Sequence, residues 1–223
     1  MADEVLYSVD ERLRPWLFEA LKDRIDVVCV GDSITGWNKT EGGHTNWPFV
    51  TYPGLLHEMY RGLRKKLRVV NCGVAGALSS EGGSLVDEGL EKFPNSRYFV
   101  IGFGANDLGM GRGVRETSKE VIDNLGKMVK SVRGLGKIPL LLNVPHLDDS
   151  WFSGDVADYA REKRDYYNPQ LRDYCLGNGI KLVDICSILD NGDFGDGLHP
   201  NSNGTRKIAE QVFLALNSLG RAV

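Results

Sequence analysis

Five short stretches of the chain are almost continuously apolar: residues 25–30, 68–71, 98–103, 138–144 and 180–185. They are rich in Val, Ile and Leu and lack the alternation of a strand with one wet face. They therefore read as strands buried on both sides, as in a parallel sheet. Between them the pattern changes period. Leu55, Leu56, Met59, Tyr60 and Leu63 share one helical stripe, as do Val121, Leu125, Met128, Val129 and Val132, and again Ile208, Val212, Ala215, Leu216 and Leu219. Each stripe gives a helix one apolar face to lay on a sheet. A further helix over 79–93 is weakened by Gly82 and Gly83 near its start. Another, over 155–177, is expected to bend at Asn168-Pro169, because proline removes a helical donor. An opening helix is predicted over 10–22. Strands and helices that alternate in this way predict an α/β protein: a three-layer α/β/α sandwich on a five-stranded parallel sheet. No repeat or linker divides the sequence, so residues 1–223 are expected to form one domain.

A chain of 223 residues buries enough surface to hold a core without staples. Its net charge of −3, with Lys and Arg spread along the chain, gives no basic footprint for nucleic acid or an anionic membrane. Cys29, Cys72, Cys175 and Cys186 form no Cys-x-x-Cys and read as small buried hydrophobes. The start, Met1-Ala-Asp-Glu, has neither a basic segment nor an apolar one, so no signal peptide is expected. No run reaches the length of a membrane span. These features together predict a soluble, cytoplasmic protein without membrane insertion. They carry no information on oligomeric state.

In an open parallel sheet, ligands bind beyond the carboxyl ends of the strands, where strand order reverses. Residues that carry chemistry should therefore directly follow strands. After the first comes Gly31-Asp32-Ser33-Ile34-Thr35-Gly36, and after the second Asn71-Cys72-Gly73-Val74-Ala75-Gly76. After the third comes Gly102-Phe103-Gly104-Ala105-Asn106-Asp107, and before the last helix Asp196-Gly197-Leu198-His199-Pro200. Singly, each has an ordinary explanation as a turn or a helix cap. Together they fall in order on the one edge where this architecture places its site.

These four segments resemble the signature blocks of the SGNH hydrolases, also called GDSL esterases and lipases. Gly31-Asp32-Ser33 is similar to the nucleophile block, Asn71-x-Gly73-x-x-Gly76 to the second, Gly104-x-Asn106-Asp107 to the third and Asp196-x-x-His199 to the last. All four are intact. The resemblance implies a flavodoxin-like SGNH fold, a carboxylic ester hydrolase and a Ser33–His199–Asp196 triad. It also implies an oxyanion hole of the Ser33 and Gly76 N–H groups and Asn106 Nδ2, with no cofactor and no metal. The residue chemistry agrees. A serine hydroxyl needs a neighbouring base, and His199 has a carboxylate, Asp196, at short fixed spacing to orient its ring. Glycine at 76 lets the backbone come close, and Asn106 is a neutral donor. Asp32 is expected to stabilise the nucleophile turn and Asp107 to be structural. His57 is expected to pack within its helix, while His44 and His146 are candidate pocket-lining residues.

Competing readings fare worse. A conventional α/β-hydrolase needs Gly-x-Ser-x-Gly, and a phosphate-binding P-loop needs Lys where Trp37 stands. Asp190, Asp193 and Asp196 fall three apart, not at the two-residue spacing of a calcium loop, and the first two read as solvated loop residues. A phosphoacceptor module would carry a lysine after the fifth strand, where the chain instead reads Asp184-Ile-Cys-Ser187. A non-catalytic binding protein on the same scaffold is the remaining rival class. The expected partner is a small-molecule ester. Trp37 and Trp47, with Asn46 between them, and Trp151 and Phe152 lie in loops where the aromatic rings would stack on a sugar, line an acyl slot or only pack the loops. With no strongly hydrophobic lid, short-chain soluble esters are the favoured substrates. A sugar deacetylase or thioesterase is the alternative.

Overall fold

The computed structural model describes residues 22–36, 51–61, 63, 67–110, 113–148 and 154–220. Five strands form, β1 (Val27–Gly31), β2 (Val69–Asn71), β3 (Tyr98–Gly102), β4 (Ile138–Leu142) and β5 (Lys181–Val183). They make one sheet in the order β2-β1-β3-β4-β5, with every pairing parallel. The helices are α1 (Ser33–Gly36), α2 (Tyr52–Arg61), α3 (Ser79–Lys92), α4 (Ala105–Met110), α5 (Val114–Gly134), α6 (Gly154–Gly177) and α7 (Ser202–Leu219). The helix predicted over 10–22 falls almost wholly outside the described residues; its last residue, Lys22, opens a short 3-10 turn, Lys22–Arg24.

Alternate strand residues face opposite layers. Val28, Val30, Phe99 and Ile101 pack with Val86, Leu90, Val121, Leu125 and Leu171 of α3, α5 and α6. Val27, Cys29, Tyr98 and Val100 pack with Leu56, Tyr60, Ile208 and Val212 of α2 and α7. Both faces of the sheet are covered, which is why the strands read as unbroken apolar runs. Each fully buried aliphatic side chain contributes roughly 1.5–3 kcal/mol before chain entropy is set against it.

The two helices that carry glycine or proline in their interior both form. Gly82 has a packing role beside its conformational cost. A Cβ there would lie 2.2 Å from Met128 Cε and 2.9 Å from Phe103 Cε2, so a larger residue would require the Met128 side chain of α5 and the Phe103 ring to shift. The helix over Gly154–Gly177 forms with Pro169 inside it. Asn168, just before the proline, donates from Nδ2 to Val144 O (2.8 Å) and accepts from Val144 N (3.1 Å), clasping the backbone beyond β4. All four cysteines are free, with Cys29 and Cys175 buried and the other two half-buried. Burial raises each thiol's pKa and keeps it unreactive. Among the described residues, no helix is long and apolar enough to cross a membrane.

The chain runs from β1 outward to β2, then crosses back to β3 on the other side of β1. Strand order therefore reverses between β1 and β3, and the crevice for a ligand opens at their carboxyl ends.

Candidate active site

The segment after β1 turns at once. The Thr35 and Gly36 amides donate to Asp32 O, and the Ile34 amide donates to Asp32 Oδ1 at 3.0 Å. These bonds open the one-turn helix whose first residue is Ser33, 7% exposed at the sheet edge. Burial pushes the Asp32 carboxyl up to about 7; the Ile34 amide works against that rise and the nearby Asp107 adds to it. The turn also touches the loop after β2. A Cβ on Gly36 would lie 2.2 Å from the carbonyl carbon of Gly73, and one on Gly73 would lie 2.4 Å from Gly36 N. Only two glycines allow this backbone contact.

That neighbouring loop is held by Asn71, whose Oδ1 accepts from the Gly73 amide (2.9 Å) and whose Nδ2 donates to Thr35 O (2.9 Å). It leads to Gly76, exposed and at φ +79°, a conformation costly for any residue with a Cβ. Asn106 is the second residue of α4 and donates from Nδ2 to Ala77 O at 3.0 Å. Its neighbour Asp107 accepts from the Ser79 amide (3.0 Å) and the Ser79 hydroxyl (2.6 Å). These bonds tie α4 to the Gly76 loop and give Asp107 a structural place.

The fourth segment is a closed loop. Phe194 and Pro200 form an antiparallel bridge, and the Gly195 amide donates to His199 O at 2.9 Å. Inside it, Asp196 Oδ1 accepts from the Leu198 and His199 amides (2.9 and 2.7 Å), and Oδ2 lies 2.8 Å from His199 Nδ1. Burial pushes this carboxyl up, but the hydrogen bonds from His199 and Leu198 outweigh it and hold it below the usual carboxylate value. An ionised carboxylate only accepts, so the ring hydrogen belongs on Nδ1. Nε2 is then an acceptor, and it lies 2.9 Å from Ser33 Oγ. Residues 166 positions apart are thus joined in one chain: carboxylate, imidazole, hydroxyl.

The other histidines lie apart from this chain. His57 is buried in α2, and its Nδ1 accepts from the Val69 amide at 3.2 Å. His146 stands edge-on to the Phe194 ring, centroids 5.0 Å apart. His44, Trp37, Asn46, Trp47, Trp151 and Phe152 lie outside the described residues. Among the described residues, no group of three His, Cys, Asp or Glu side chains is placed to hold a metal ion.

The sequence reading missed the residues that brace the last loop. Asn201 caps α7, accepting from the Asn203 and Gly204 amides, while its Nδ2 reaches back to Gly192 O and Phe194 O. A cap signal was available there, an Asn just before a helical stripe. Asp193, expected to be solvated, is 2% exposed and binds Lys207 Nζ (2.6 Å), Asn203 Nδ2 (2.5 Å) and the Asp190 amide (2.7 Å). Three donors stabilise its charge once it turns inward. Asp190 does remain exposed.

Residues 29–207 match the model of the GDSL-like Lipase/Acylhydrolase family. Among solved structures, TesA is 21% identical over 87% of this chain and 99% of its own, with a TM-score of 0.69. A lipolytic protein of the G-D-S-L family from Veillonella parvula DSM 2008 is 20% identical, covering 86% and 98%, at 0.65. A catalytic mutant of Axe2, an acetylxylan esterase from Geobacillus stearothermophilus, is 17% identical, covering 87% and 94%, at 0.68. At these identities the likeness is one of fold. No curated protein sequence matches the chain. The family model spans most of the sequence, so the chain belongs to the GDSL-like lipase/acylhydrolase family and is a carboxylic ester hydrolase.

Proposed function

We propose that this protein hydrolyses small, short-chain esters through an acyl-enzyme on Ser33. His199 acts as the base, Asp196 orients it, and the Ser33 and Gly76 amides with Asn106 Nδ2 receive the oxyanion. The observation that carries this reading is the unbroken relay from Asp196 Oδ2 through His199 to Ser33 Oγ, at 2.8 and 2.9 Å. Those lengths suit proton transfer.

Ser33 Oγ attacks the ester carbonyl carbon as its proton passes to His199 Nε2. The carbonyl π pair moves onto oxygen, where the hydrogen-bond donors meet it. When the C–O bond to the alcohol breaks, His199 returns the proton to the leaving oxygen. Water, deprotonated by the same imidazole, then attacks the acyl carbon. The acid departs and Ser33 regains its proton. Asp196 stabilises the transient imidazolium and keeps its own proton-free state throughout. Asn106 spends one Nδ2 hydrogen on Ala77 O, which fixes the amide and leaves the second hydrogen for the substrate.

The preference for short acyl groups rests on the sequence, which carries no strongly hydrophobic lid segment. Deacetylation of a sugar is the second reading. It is favoured by the acetylxylan esterase among the neighbours.

The test is a panel of p-nitrophenyl esters of rising chain length, with acyl thioesters and acetylated sugars beside them. Rates highest at two to four carbons and abolished in Ser33→Ala support the proposal. Activity that survives Ser33→Ala, or rises toward long chains, contradicts it.

A further inference from the structure

Lys163 is 1% exposed in the middle of α6. Its Nζ donates to Leu108 O at 2.6 Å. Leu108 is the fourth residue of α4, two beyond Asn106. A six-residue helix has little stability of its own, and the last four carbonyls of any helix lack partners within it. An ammonium at that end satisfies one carbonyl and opposes the negative pole of the helix.

The same face of α6 backs the rest of this edge. Tyr167, one turn on, is fully buried, and a Cβ on Gly104 would lie 3.3 Å from its hydroxyl. Asn168 clasps Val144. At its other end α4 is tied to the Gly76 loop through Asn106 and Asp107. From these contacts we infer that Lys163 is a positioning residue. It pins the carbonyl end of α4 so that the Asn106 amide holds its aim at the oxyanion. This inference rests on the proposed role of Asn106. Burying an ammonium costs several kcal/mol unless it is well bonded, and plain packing would be served as well by methionine.

The test is Lys163→Met, which keeps the length of the side chain and removes donor and charge. It is assayed on p-nitrophenyl acetate beside Asn106→Ala and the double variant, with circular dichroism to verify folding. Displacing one oxyanion donor should lower kcat roughly 10- to 100-fold and leave KM within about twofold. In the Asn106→Ala background the same change should alter kcat by less than about twofold, because the residue it positions is gone. Unchanged kcat in Lys163→Met, or an equal loss in both backgrounds, overturns the inference. If Lys163→Met fails to fold, Lys163→Leu, which likewise removes donor and charge, carries the same comparison. Were Asn106→Ala itself fully active, the oxyanion assignment would fall first. Were it impaired while Lys163→Met was not, only the role of Lys163 would fall.

Discussion

Ser33 stands on a turn where backbone meets backbone without room for a side chain, whereas His199 stands in a loop where side chains add to the backbone bonds. Around Ser33, amides bond back to Asp32, and Gly36 abuts Gly73 so closely that a methyl group has no room. Around His199, a carboxylate accepts three hydrogen bonds, Asn201 spans the loop, and the Asp148 amide donates to Gly197 O at 2.8 Å. The first arrangement is steric and tolerates no added atom. The second is polar and tolerates no lost partner. The proposed nucleophile, Ser33, gains from a fixed position, while the proposed base, His199, also needs a fixed tautomer, which only hydrogen bonds supply.

That contrast can be broken from either side. The largest expected effect is on the polar side. Asp196→Asn keeps the shape but offers an amide to Nδ1, favouring the wrong tautomer, so kcat should fall by about 10⁴ while thermal stability changes little. A loss below about tenfold in steady-state kinetics would show that the base is oriented by something other than Asp196. Next comes the steric side. Gly36→Ala forces its Cβ against the Gly73 backbone and should cost about 1–3 kcal/mol, lowering the melting temperature by several degrees. A melting curve that overlays the parent's would mean that the two loops are not in contact. The smallest is Asn201→Ala, which removes the α7 cap and should cost about 1 kcal/mol. Calorimetry resolves that difference, and a gain in stability would contradict the cap.

The architecture was legible because burial on both faces wrote five apolar runs into the chain. Strand ends were less so. Phe103 and Ile180 are buried like their neighbours but lie outside the hydrogen-bonded ladder, and hydrophobicity cannot tell core from pairing. The packing role of Gly82 was hidden for a related reason. A residue's helix propensity says nothing of Met128, 46 positions away, pressing on it. The candidate site residues were readable because each directly follows a strand or precedes a helix. Their supports were not, since Asn143, Asn168 and Lys163 act on partners distant in sequence: Asn143 accepts from the Ile185 and Cys186 amides, and the other two reach across to Val144 and Leu108. Asp193 was misjudged because its spacing was weighed against a calcium loop, while Lys207 and Asn203 sat a helical turn or more away.

The central claim is that Ser33 becomes covalently acylated during turnover. Treating the protein with a phosphonofluoridate ester, which traps activated serines, and locating the adduct by peptide mass spectrometry tests it directly. The account predicts a single adduct on Ser33, formed at the same rate as esterase activity disappears and absent in His199→Ala. Complete inactivation with Ser33 unmodified, or full activity with Ser33 fully labelled, would contradict it.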